Sequence, residues 1–172
     1  MSDDALRFFG KYRGMVTNNI DPLGIGRLQV QVPDVAGVVP GSWALPCFPF
    51  ASTQLGFYAL PQIGGGVWVE FEQGNPDYPI WSGCWYGSRA DVPGLVSATP
   101  PGVPVVIMQT QGQTTLLLSD LAGPTGGVLI KTMSGAMISI NDVALTISNG
   151  KGASIVMTGP TVAINGAALT IT

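Results

Sequence analysis

The sequence predicts an all-β protein in two parts, a small barrel followed by a stack of short strands. Three observations carry this. Apolar and polar residues alternate in short segments along most of the chain, Gly, Pro and Asn punctuate those segments, and a phrase near the end returns. Ala-Leu-Thr-Ile-Ser at 144–148 is echoed by Ala-Leu-Thr-Ile-Thr at 168–172, an offset of 24 residues, three units of eight.

From the start of the chain, 11–90 reads as strands at 12–18, 26–32, 43–48, 57–60, 66–72 and 80–85. Asp21-Pro22-Leu23-Gly24, Val39-Pro40-Gly41, Gly64-Gly65-Gly66 and Gly74-Asn75-Pro76-Asp77 separate them as turns. Val67, Val69 and Phe71 share one face of the fifth strand, and Trp68, Glu70 and Glu72 the other. Five or six strands in about 75 residues without helical periodicity suggest a small closed or partly closed barrel. An SH3-like barrel or a small sandwich fits the same pattern. Residues 89–104, dense in Pro and Gly towards the end, read as a semi-rigid connector. Strands at 105–109 and 114–118 follow as a collar, although Leu116-Leu117-Leu118 shows no alternation.

From 126 onward the units shorten. Ile138 and Ile140 alternate with Ser139 and Asn141, then Val143, Leu145 and Ile147 with Ala144, Thr146 and Ser148, then Val162 and Ile164 with Ala163 and Asn165. Ser134-Gly135, Asn141-Asp142, Asn149-Gly150-Lys151-Gly152, Gly159-Pro160 and Asn165-Gly166 supply the corners. Asn-Gly between such strands is also a hairpin signal. The constant unit length and the echo at a multiple of eight favour a stacked β-helix or β-prism over a meander. A buried face of Ile, Val, Leu and Met on five or six units is too narrow for one chain to enclose a wide core. Only Asp120, Lys131, Asp142 and Lys151 carry charge after residue 100, so the strand edges lack the charges that normally block pairing. An intertwined homotrimer, each chain giving one wall, answers both points.

Composition excludes several classes. The 172 residues are 46% hydrophobic and 10% charged, against roughly 25% charged in an average domain, which points to an obligate assembly. No run reaches the ~18 apolar residues of a spanning helix, so no stable membrane insertion is expected. Met-Ser-Asp-Asp-Ala lacks the basic and apolar regions of a secretory leader. A net charge of −3 without clusters leaves no footprint for nucleic acid. Cys47 and Cys84 stand in apolar settings that favour buried free thiols over a disulfide. Gly64-Gly65-Gly66 has no Gly-Lys-Ser and no following helix, so it reads as a turn and not a phosphate cradle. Glu70 and Glu72 share a strand face, a solvated or inter-subunit surface before an acid–base pair. Trp43, Trp68, Trp81 and Trp85 could stack bases or sugars, but without accompanying basic residues they read as barrel core and trimer contacts.

Several motifs in order carry a resemblance. These are Phe8-Phe9-Gly10-Lys11-Tyr12-Arg13-Gly14, Asp21-Pro22-Leu23-Gly24-Ile25-Gly26-Arg27, Trp43-Ala44-Leu45-Pro46-Cys47, the run from Pro61 to Glu72, and Pro79-Ile80-Trp81-Ser82-Gly83. Residues 113–120 and 135–142 extend the match towards the end. The chain resembles the baseplate assembly protein V family, the central spikes of contractile phage tails, and is similar to type VI secretion tip proteins. The resemblance implies an N-terminal OB-fold barrel over 1–90, a connector and collar over 91–125, and a C-terminal trimeric, intertwined β-helix or β-prism needle over 126–172. The needle core is then Ile138, Ile140, Leu145, Ile147, Val162, Ile164, Leu169 and Ile171.

The expected function is that of a non-enzymatic spike in a phage tail, tailocin or related injection system. It would be assembled in the producing cell's cytoplasm and carried in a tail-like particle, docked on the tail-tube hub. Some relatives carry a lysozyme domain, for which the connector is too short. Others hold iron through His-x-His ligands; this chain has no histidine, so no metal, cofactor or triad chemistry is expected. The needle is expected to end open, with Leu169, Ile171 and Thr172 meeting a PAAR-like tip protein. The alternative is an OB-fold module binding ssDNA or glycan, with the β-rich tail as an oligomerisation device; a tail-associated hydrolase is a minor third reading.

Overall fold

The computed structural model describes residues 6–35, 42–166 and 168–171. The motif at 1–5, the turn at 39–41 and the tip residue Thr172 fall outside them. The chain divides into two compact units between residues 88 and 89.

The first unit is a closed barrel of β1 (Tyr12–Asn18), β2 (Leu28–Gln31), β3 (Trp43–Pro46), β6 (Gly66–Phe71) and β7 (Pro79–Trp85), in the order β1-β2-β3-β7-β6. β3 and β7 run parallel while the other pairs are antiparallel, the wiring of an OB barrel. Alternation puts Val16, Leu28, Val30, Val67, Val69 and Phe71 inside with Ala44 and Trp81. Between β3 and β6 stands a hairpin of β4 (Ala51–Ser52) and β5 (Leu55–Gly56). The strand expected at 57–60 does not form. Tyr58 packs instead on Phe48, with ring centroids 5.6 Å apart, and Leu60 on the core, while Phe57 and Tyr58 themselves stay exposed. Glu72 also leaves the strand: it opens a 3-10 turn, Glu72–Gly74, and so does not share a strand face with Glu70.

The loop 21–27 is organised by one carboxylate. Asp21 accepts the backbone N–H groups of Leu23, Ile25 and Arg27 at 3.0, 3.0 and 3.2 Å, and the Arg27 guanidinium at 2.7 and 3.0 Å. The Arg27 hydrogen bond, reinforced by those N–H groups against some desolvation, holds the Asp21 carboxyl well below the usual carboxylate range. A depressed folded pKa stabilises the protein above the unfolded value, about 4 for Asp, and that contribution fades as pH falls below it. Asp21→Asn is therefore expected to lower the barrel's melting temperature at pH 7, with the gap to wild type narrowing in melts below about pH 4; a pH-independent gap would assign the loss to packing alone.

The thiols are free, but exposed and not buried as their apolar neighbours suggest. Cys47 lies just past β3, and Cys84 follows a register shift in the β6–β7 pairing, beyond which β7 loses its alternation in burial.

The second unit begins with a 3-10 turn, Arg89–Asp91, and a short helix, α1 (Gly94–Ser97). An eight-stranded sheet follows: β8 (Val105–Gln109), β9 (Thr115–Ser119), β10 (Gly127–Lys131), β11 (Met137–Ile140), β12 (Leu145–Ser148), β13 (Ser154–Thr158), β14 (Thr161–Ile164) and β15 (Leu169–Ile171). Each strand pairs antiparallel with the next, so within one chain the units are hairpins, the arrangement the regular spacing argued against. Alternation and turn residues are common to both arrangements, and strand pairing alone separates them. β8 and β9 run in register into β10 without a break.

The corners are built by asparagine. Asn141 Oδ1 accepts the N–H of Val143 and Ala144, and Asn149 Oδ1 those of Lys151 and Ala153, satisfying backbone donors that would otherwise need water. Gly150 sits at φ +68°, and a Cβ there would stand 2.6 Å from the Gly135 carbonyl carbon. Corners on the same edge thus touch, backbone to backbone, and only glycine permits it.

Candidate trimer interface

Register decides what this sheet can do. Antiparallel partners point the same way, so pairing lines up one row as Val106, Leu118, Val128, Ile140, Leu145, Met157, Val162 and Ile171, and a second as Met108, Leu116, Ile130, Ile138, Ile147, Ile155, Ile164 and Leu169. All sixteen are apolar. These two ladders cross the sheet on one face and contain all eight residues expected in the needle core. Ten of them are exposed in the single chain, from Ile138 at 40% to Val106 at 62%. Covering the remaining exposed half of a Val, Leu, Ile or Met is worth about 1 kcal/mol per side chain. Monomers rarely carry a contiguous apolar face of this extent.

The opposite face is mixed and carries smaller side chains along its length. The row Ile107, Leu117 and Leu129 near the start gives way to the small polar Ser139 and Thr146 and then to the smaller apolar Val156 and Ala163. α1 lies over its beginning, where Gly94 and Leu95 line a hollow with Gln109, Thr115 and Lys131. Leu117 is buried there at 4% exposure. This resolves Leu116-Leu117-Leu118: the outer two belong to the ladder face and the middle one to the covered face.

On the barrel, the tryptophans are already occupied. The Arg13 guanidinium lies over Trp85 at 5.3 Å and Trp68 at 5.9 Å from the ring centroids. Arg27 lies over Trp43 at 5.0 Å. Trp81 is buried, giving its Nε1–H to the Gly26 carbonyl at 3.0 Å and meeting Phe48 edge-on. Cation–π stacking within the chain covers rings that a base or sugar would need. Arg13 could not be assigned to this role from sequence, because it depends on β1, β6 and β7 lying side by side. Glu70 accepts from Lys11 Nζ at 2.9 Å, and that hydrogen bond lowers its pKa, the wrong direction for a general acid. Among the described residues no group of three or more His, Cys, Asp or Glu could hold a metal ion, and no helix is long and apolar enough to cross a membrane.

No curated protein matches the chain. Two family models do. Residues 12–86 match the type VI secretion system/phage-baseplate injector OB domain, which coincides with the barrel. Residues 104–170 match the phage baseplate V C-terminal trimerisation domain, which coincides with the eight-stranded sheet and its ladders. A barrel of OB wiring, an uncovered apolar wall and these two matches in order have one reading: the chain belongs to the phage baseplate V family, non-enzymatic spike components of the tail baseplate that join an injector OB domain to a trimerisation domain.

Proposed function

We propose that three copies turn their ladder faces inward to form the core of a prism-shaped needle. The barrels dock on the tail-tube hub, and the needle carries axial force into an envelope beneath a separate tip protein. The observation that carries this reading is the pair of unbroken ladders, which no part of the same chain covers among the described residues. A meander is what each flat wall of such a prism requires, since consecutive strands then stack along one side. Leu169 and Ile171, on a strand that pairs only with β14 among the described residues, supply an apolar surface for the tip protein.

Light scattering on the purified chain is expected to give three times the 17.8 kDa of one copy. Oligonucleotide titration at low salt is expected to show no binding, given the net charge of −3. A monomer would overturn the needle. Tight, salt-dependent binding would restore the OB module as a nucleic-acid reader.

A further inference from the structure

The four charges after residue 100 are sorted by sign. Successive corners of a meander fall alternately on its two lateral edges. One edge holds the β9–β10 and β11–β12 corners, tied together by the Gly123 N–H donating to Asp142 Oδ2 at 2.9 Å and by Asn141 Nδ2 donating to the Pro124 carbonyl at 3.2 Å. It carries Asp120 and Asp142. The other holds the β10–β11 and β12–β13 corners, which meet at Gly135 and Gly150. It carries Lys131 and Lys151. Strands of four or five residues hold the edges about 15 Å apart, too far for pairing across the wall. The ion pairs found among the described residues, Lys11–Glu70 and Arg27–Asp21, involve none of the four.

The spacing within each edge also agrees. Asp120 and Asp142 sit about two strands apart, and so do Lys131 and Lys151, a separation of about 10 Å. The acidic pair lies about one strand nearer β8.

We propose that the lysine edge of one wall meets the aspartate edge of the next copy, head to tail around the trimer. Strands inclined to the three-fold axis, so that each wall rises by one strand spacing, about 4.8 Å, from one edge to the other, pair Lys131 with Asp120 and Lys151 with Asp142 of the neighbouring copy while the three copies stay level. The occupant is a second copy of this chain on grounds of charge and symmetry, and the inference rests on the trimeric reading above. A two-fold contact between identical edges brings like charges together, whereas a closed head-to-tail ring brings unlike ones together at every joint. The apolar ladders hold walls together without regard to direction or strand inclination; the charges select the ring and fix that inclination.

Three variants of the full chain test this: K131E/K151E, D120K/D142K, and all four changes together. At low salt each double variant is expected to form trimer about tenfold more slowly than wild type, with the gap closing at about 1 M salt. The four-fold swap is expected to recover to within about twofold. It contains the same loss of the Asp142–Gly123 hydrogen bond as D120K/D142K, so recovery separates charge from corner damage. Equal mixtures of the two double variants are expected to give mixed trimers in preference to pure ones. Double variants that assemble at the wild-type rate at low salt, or a four-fold swap as slow as D120K/D142K, would overturn the pairing. A wild-type trimer indifferent to its edge charges removes this pairing alone; a wild-type monomer removes the trimer reading with it.

Discussion

Replacing Ile147 with Asp is expected to leave the chain monomeric. Ile147 stands in the second ladder between Ile138 and Ile155, and it is 42% exposed in the isolated chain. A single chain tolerates Asp there, because water still reaches the face. In the trimer, three carboxylates would meet at one level of a dry core, each with a desolvation penalty of several kcal/mol and no cation to offset it. The charges after residue 100 all lie at corners or strand ends, so none sits on the ladder to compensate. Light scattering should read one chain mass where wild type reads three, while the barrel's melting is unchanged. A soluble trimer with the wild-type melting temperature would remove Ile147 from the core.

Trp81→Ala is expected to have the largest effect on the barrel and none on the number of chains. Trp81 is 5% exposed, its ring stands edge-on to Phe48 with centroids 5.5 Å apart, and its indole satisfies the Gly26 carbonyl. Truncating a buried Trp costs about 3–5 kcal/mol, and the Gly26 carbonyl loses its donor as well. For a domain of this size each kcal/mol lowers the melting temperature by roughly 4–8 °C. The barrel transition should therefore fall by more than about 12 °C, with the mass still that of three chains. A smaller shift would show that Phe48 and Tyr58 close over the gap; loss of the trimer would show that the barrel takes part in assembly.

What the sequence reveals follows from what each signal depends on. Alternation reports burial on one side of a strand. Val67, Val69 and Phe71 could therefore be placed inside the barrel, and Ile138 through Ile171 on one face of the wall, before any pairing was known. Pairing itself leaves a weaker trace, because a hairpin and a stacked coil call for the same alternation and the same corner glycines. The β4–β5 hairpin gave no turn signal, since Gln54 takes the left-handed conformation, at φ +56°, that Asn or Gly normally marks. Phe57–Leu60 has the composition of a strand but forms none, with Tyr58 set against Phe48 and Leu60 against the core. Arg13 over two tryptophans, and the sorting of four charges onto two edges, exist only after distant segments are laid side by side.

The nearest-neighbour pairing of the wall also bears on how it comes into being. Every strand contact in the second unit joins consecutive segments, so no long loop has to close before a contact is gained, and each added hairpin meets a template already in place. Such a unit is expected to grow as a zipper. Its best-covered end is the first to leave the ribosome, where α1 overlies β8–β10 and Leu117 is buried; the later strands, sparse in buried residues, have only their predecessor to hold them until sister chains arrive. The order of synthesis is thus expected to be the order of commitment, with folding starting at α1 and β8–β10 and travelling strand by strand towards β15.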